Sequence, residues 1–96
     1  MSLFVLNYRY VSNTETISRH RPEHREYLRG LFDSGKLRMA GPTGEPGPAG
    51  GLIILDVNSA KEVEDIARAD PFLKRGVVVE HSISSWSLSM GDALLK

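Results

Sequence analysis

Leu52-Ile53-Ile54-Leu55-Asp56-Val57-Asn58-Ser59-Ala60-Lys61-Glu62 is the stretch whose reading decides the fold. Residues 52–57 form a nearly continuous apolar run with β-branched members, the pattern of a central strand. Ser59 and Glu62 stand three apart, as in a capping box, where the serine oxygen and the glutamate take up free N–H groups at a helix start. A central strand therefore passes directly into a helix. The helix continues through Val63, Ile66 and Ala67 and stops at Asp70-Pro71, because a residue before proline avoids helical angles. Residues 72–75 have room for a single turn, which Gly76 ends.

Working outward, residues 3–10 alternate as a strand, with Phe4, Leu6, Tyr8 and Tyr10 on one face and Leu3, Val5, Asn7 and Arg9 on the other. Residues 11–21 are polar and read as a connection. Pro22 suits the first position of a helix over 22–34, where its missing N–H costs nothing, and Gly35 ends it. Residues 37–40 are a short second strand. The glycine-rich break 41–51 has glycines at 41, 44, 47 and 50 with prolines between, too few triplets for a collagen helix, and is expected to be a constrained loop serving as lid or contact arm. Residues 77–88 form a long last strand in which Val77, Val79, His81 and Ile83 share a face, and 91–96 is a tail.

The order is β-α-β-β-α-β. It predicts an α+β, ferredoxin-like fold: an antiparallel four-stranded sheet with two helices on one face. The other face also carries apolar residues and needs cover. A second copy of the sheet is the simplest cover, giving a two-fold dimeric α/β barrel. With 96 residues, a single domain over 1–96 is expected, with a modest core.

Twelve basic and twelve acidic residues cancel, which argues against nucleic acid or an anionic membrane as a partner. There is no cysteine, so disulfides, thiol catalysis and cysteine-ligated metals are excluded, and a reducing, cytoplasmic setting is expected. The first residues lack a basic segment and a long apolar run, so neither a signal peptide nor a membrane span is expected.

The chemistry concentrates in Ser18-Arg19-His20-Arg21-Pro22-Glu23-His24-Arg25-Glu26-Tyr27-Leu28. With a helix starting at Pro22, His24 falls in its first turn, on or beside the inward stripe of Leu28 and Leu31. There the helix dipole favours the neutral imidazole, the form that can accept a proton. His24 is a candidate general base or acid, or a hydrogen-bonded residue at the helix start. Asp70 can orient a histidine, as carboxylates do in catalytic dyads, or simply cap the turn that follows it. His20 stands four before His24, like half a metal site. It precedes Arg21-Pro22, where an extended chain is expected, so the two should not share a face and no metal is expected. Arg25 and Arg29 read as a solvated face, whereas Arg21 can fork onto a carboxylate or phenolate oxygen. Tyr8, Phe72 and Trp86 are candidates either for a flat apolar wall or for the core, and Pro42 is a further candidate for substrate binding. His81 reads as a half-exposed strand residue that could also line a pocket.

The ordered set Arg21-Pro22-x-His24, Leu28, Gly35-Lys36-Leu37, Ala40-Gly41-Pro42, a glycine-rich break, Ala69-Asp70-Pro71-Phe72 and Gly76 resembles the YCII-related domain family. The resemblance runs from Leu3 to about Trp86. It implies a ferredoxin-like fold that dimerises through its sheets, as in the muconolactone-isomerase and dimeric α/β-barrel group. The family's catalytic histidine and aspartate match His24 and Asp70. An activity assigned within the group, dehydrochlorination of chlorinated hydroxyhydroquinones, implies a cofactor-independent lyase or isomerase acting on a small aromatic or quinonoid molecule. The triplet-glycine loop departs from some members. The alternative is a small-molecule-binding dimer without catalysis, a sensor or accessory subunit.

Overall fold

In the structure, a computed structural model that describes residues 2–91, the chain runs β1 (Leu3–Tyr10), α1 (Thr14–Asp33), β2 (Leu37–Thr43), β3 (Gly50–Asp56), α2 (Ala60–Ala69), α3 (Pro71–Lys74) and β4 (Val78–Trp86). The sheet order is β2-β3-β1-β4 and every neighbouring pair is antiparallel. This is the ferredoxin-like arrangement expected from the sequence, and the single turn expected before Gly76 is α3, begun one residue earlier at Pro71. The two central strands carry Leu6 and Leu55, which have no exposed surface. With Ile53, Val57 and Leu37 they meet Val63, Ile66 and Ala67 of α2 and Phe72 of α3 in one core. Burying that apolar surface is what orders the layers.

The first helix differs most from its expected form. It begins eight residues before Pro22, at Thr14, and turns the expected polar connection into two further helical turns. Asn13 caps it: its side-chain oxygen accepts from the Glu15 N–H at 3.0 Å and the Thr16 N–H at 3.1 Å. Ile17, 5% exposed, belongs to the main core and anchors the added turns. Pro22 thus lies inside the helix and removes one N–H from the backbone ladder. A good cap and a buried isoleucine outweigh that local loss. His20, expected in extended chain, is helical as well.

At the other end the helix closes as anticipated. Gly35 adopts φ 85°, the Lys36 N–H donates to the Leu31 carbonyl at 3.0 Å, and the Gly35 N–H donates to the Phe32 carbonyl at 3.1 Å. The start of α2 is a shifted capping box: Ser59 Oγ accepts from the Glu62 N–H at 3.2 Å, but Glu62 reaches back to the Asn58 N–H at 3.3 Å.

Two further expectations need correction. The break expected over 41–51 shrinks to 44–49, because β2 continues to Thr43 and β3 starts at Gly50. Pro42 is tolerated because β2 is a sheet edge. The last strand spans Val78–Trp86, and a register shift against Arg9 and Tyr10 breaks its alternation. Val78 is buried against Tyr10, whereas Val79 is 48% exposed. Leu88 lies beyond the strand and packs near Leu3, Ile54 and Val5 on the sheet face away from the helices. The expected tail after Gly91 lies outside the described residues. Among those described, no helix is long and apolar enough to cross a membrane.

The cap gives the revised helix start a direct test. Asn13→Ala is expected to lower unfolding stability by about 1 kcal/mol in urea titrations. A helix beginning at Pro22 would leave the variant unchanged.

Candidate active site

The stripe Arg21, His24, Arg25 and Leu28 recurs at helical spacing on α1 and faces the sheet beside α3. Asp70 ends α2 and caps α3, with extended angles of φ −69° and ψ 127° that turn its carboxylate back over the start of α3. Its Oδ1 accepts from the Phe72 N–H at 2.9 Å. Its Oδ2 accepts from the Tyr8 hydroxyl of β1 at 3.0 Å. His24 Nδ1 lies 2.8 Å from Oδ1 and 3.0 Å from Oδ2. A carboxylate offers only acceptor sites, so Nδ1 carries the proton and donates. Asp70 is fully buried and His24 is 7% exposed. One side chain thus both caps α3 and hydrogen-bonds the imidazole.

Phe72 fixes the imidazole plane. The two rings stack with centroids 3.8 Å apart and planes 3° from parallel, and Tyr10 meets Phe72 edge-on at 5.1 Å. With Nδ1 committed to Asp70, Nε2 is the ring nitrogen left for a ligand. His24 lines a cavity of about 240 Å³ between α1 and the helix-facing side of β1, β2 and β3. That is room for one small ring. Its apolar wall comes from Leu28, Ile53, Phe72 and Pro42, and its polar groups from His24, Tyr10, Arg21 and Arg25. Among the described residues neither arginine makes an ion pair, and no carboxylate lines the cavity.

Burial pushes the tyrosine hydroxyls up. Tyr8 rises well above its usual range, first through burial and then through the charge of Asp70 and the hydrogen bond to it. Tyr10 is pushed up to about 12 by burial and Asp70, with Arg21 acting in the opposite sense. Tyr27 is also raised to about 12 by burial and Asp70, and its hydroxyl donates to the Ile66 carbonyl at 2.8 Å. Glu23, on the outer flank of α1, is held below its ordinary value chiefly by the hydrogen bond from Arg75, which ties α1 to the end of α3.

Of the residues singled out from sequence, His24, Arg21, Pro42 and Phe72 share the cavity, with Asp70 directly behind His24. Tyr8 is no wall; it lies beneath, as a donor to Asp70. Trp86 is far from the site: it pairs with Leu3, on the sheet face opposite the helices. His24 sits in the middle of α1 rather than in its first turn, so the N-terminal dipole does not act on it. His20 turns to Glu23 at 3.3 Å and His81 to Glu64 at 3.1 Å. The His81 contact is the main cause of a lowered Glu64. Among the described residues no three potential metal ligands cluster. Two polar cavity residues were missed. Tyr10 shares the strand face of Tyr8, which was a usable signal. Arg25 read as solvated, and it is exposed, yet it borders the opening.

The family model of the YCII-related domain matches residues 1–87. No protein with a curated description matches the sequence. Among solved structures, the chain is similar to 5-chloro-2-hydroxyhydroquinone dehydrochlorinase from Burkholderia phenoliruptrix AC1100, solved in complex with 2,5-dihydroxybenzoquinone. The TM-score is 0.75 at 22% identity, over 88% of this chain and 93% of that one. An antibiotic biosynthesis monooxygenase matches with a TM-score of 0.60 at 9% identity, over 94% of this chain and 100% of that one. At these identities the likeness shows a shared fold.

The tyrosine shifts set a pH window. A hydroxyl whose proton is held more tightly in the folded chain stabilises fully below the unfolded value of about 10. That contribution fades as pH climbs toward about 12, the folded value of Tyr10 and Tyr27. At neutral pH, Tyr8→Phe is expected to cost about 1.5–3 kcal/mol, since it removes a donor from a buried carboxylate. Urea midpoints measured across the alkaline range are expected to show the gap to wild type closing above pH 10.

Proposed function

The chain belongs to the YCII-related domain family, and from that membership and its buried His–Asp pair we propose that it is a cofactor-independent acid–base enzyme acting on a small aromatic or quinonoid molecule. The observation that carries this reading is the His24 Nδ1–Asp70 bond of 2.8 Å behind a cavity that His24 itself lines. Asp70 holds the imidazole in one tautomer and can stabilise the imidazolium that forms when Nε2 takes a proton. Arg21 steadies the oxygen left negative. Phe72 and Pro42 supply the flat apolar contact for the ring.

The best specific reaction is dehydrochlorination of a chlorinated hydroxyhydroquinone, the chemistry named for the similar structure from Burkholderia. His24 takes a proton from one ring hydroxyl and returns it to the carbon bearing chlorine, which becomes tetrahedral. A second hydroxyl then gives up its proton to solvent, an electron pair moves through the ring, and chloride leaves. The sum is loss of HCl from the hydroquinone to give a hydroxyquinone, with no outside oxidant. With 5-chloro-2-hydroxyhydroquinone as substrate, His24→Gln is expected to lower the rate of chloride release by about 10²-fold or more, and Asp70→Asn to lower it as well. Full turnover by His24→Gln would discard the catalytic assignment. Silence of the wild type would discard this substrate.

We further propose that two copies join through the sheet face away from the helices. That face presents Leu3, Val5 and Ile54, with Met39 and Leu52 41% and 38% exposed. Leu52→Glu is expected to convert a sedimenting dimer into a monomer. A wild type that sediments as a monomer would refute the dimer.

A further inference from the structure

The chain has three tyrosines, and all of them lie near Asp70, yet their hydroxyls have different fates. Tyr8 donates to Asp70 and Tyr27 to the Ile66 carbonyl. The Tyr10 hydroxyl has no hydrogen-bond partner among the described residues, and since no buried side-chain polar atom among them lacks a partner, its oxygen is not sealed off. Tyr10 lines the cavity, so its free hydroxyl opens there.

Gly51 makes this placement possible. A Cβ on Gly51 would stand 2.6 Å from the Tyr10 hydroxyl oxygen and 3.4 Å from the ring carbon that bears it. The Tyr10 phenol therefore lies against bare backbone of β3, and the edge-on contact with Phe72 holds the ring from another side. Phe72 also stacks on His24, so one aromatic side chain sets both the imidazole and the phenol. Arg21 lines the same space.

We propose that Tyr10, seated on Gly51, is a further substrate-binding residue whose hydroxyl, with the Arg21 guanidinium, receives the carbonyl or enolate oxygen of a ligand whose own hydroxyl faces His24. The ligand class is then a vinylogous acid: a small ring with a hydroxyl conjugated to a carbonyl. When His24 takes the hydroxyl proton, the negative charge left behind spreads through the conjugated system to the second oxygen, where two donors already wait. This assignment rests on the reading of the cavity as a proton-transfer site.

The test uses 2,5-dihydroxybenzoquinone as the binding probe, with affinity and thermal midpoint measured for the wild type, Tyr10→Phe, Gly51→Ala and the double variant. Tyr10→Phe is expected to bind the quinone about tenfold more weakly, the loss of one hydrogen bond to a charged oxygen. Gly51→Ala is expected to weaken binding and lower the thermal midpoint, and the midpoint loss is expected to shrink when Tyr10 is already phenylalanine. Wild-type affinity in Tyr10→Phe, or no quinone binding by the wild type, overturns the proposal. An equal midpoint loss from Gly51→Ala in both backgrounds overturns the seating of the ring. If Tyr10→Phe binds normally while His24→Gln abolishes turnover, only the role of Tyr10 falls. If Tyr10→Phe binds weakly while His24→Gln turns over fully, the catalytic reading falls instead.

Discussion

A carboxylate with no exposed surface organises this small protein. Asp70 gathers the Tyr8 hydroxyl from the sheet, the His24 imidazole from the long helix and the Phe72 N–H from the turn that follows it. Leaving a buried charge without partners is far more costly than burying an apolar side chain is favourable. The three elements are therefore held to positions at which all three donors reach the same two oxygens. Breaking any of them leaves the carboxylate short of a partner, so the register between sheet and helix is tied to the same group that sets the imidazole.

The stack of Phe72 on His24 extends that constraint into the cavity. Asp70 fixes which nitrogen carries the proton, and Phe72 fixes the plane in which the other points. The apolar core beneath, with Leu6, Leu55 and Val63 fully buried, gives both a firm base. A cavity that has, among the described residues, two unpaired guanidiniums at its edge and no carboxylate on its wall favours an oxygen anion over a cation.

Much of this was legible in the sequence. The apolar run 52–57 and the Ser59–Glu62 start placed a central strand and the helix after it, and the alternation of residues 3–10 gave the sheet its two faces. The pairing of His24 with Asp70 was accessible only through the family resemblance, because 46 positions separate them and no local pattern links them. The start of α1 was misread because Pro22 is a strong local signal, while the burial of Ile17 that outweighs it is a tertiary fact. The misplacement of Trp86 has a related cause. Alternation sorts the residues of a strand into two faces, but which face meets the helices and which end lies near the cavity are set by the pairing with β1. Arg25 was overlooked because an exposed arginine on a helix looks the same whether it borders a cavity or open water.

The central claim is that Asp70 holds His24 as the Nδ1–H tautomer, leaving Nε2 free to take a proton. The most direct measurement is the pair of imidazole ¹⁵N chemical shifts of His24 at a pH where the ring is neutral. The expected result is a protonated Nδ1 and an unprotonated Nε2, with the preference lost in Asp70→Asn. A protonated Nε2, or shifts that ignore the substitution at Asp70, would contradict the account.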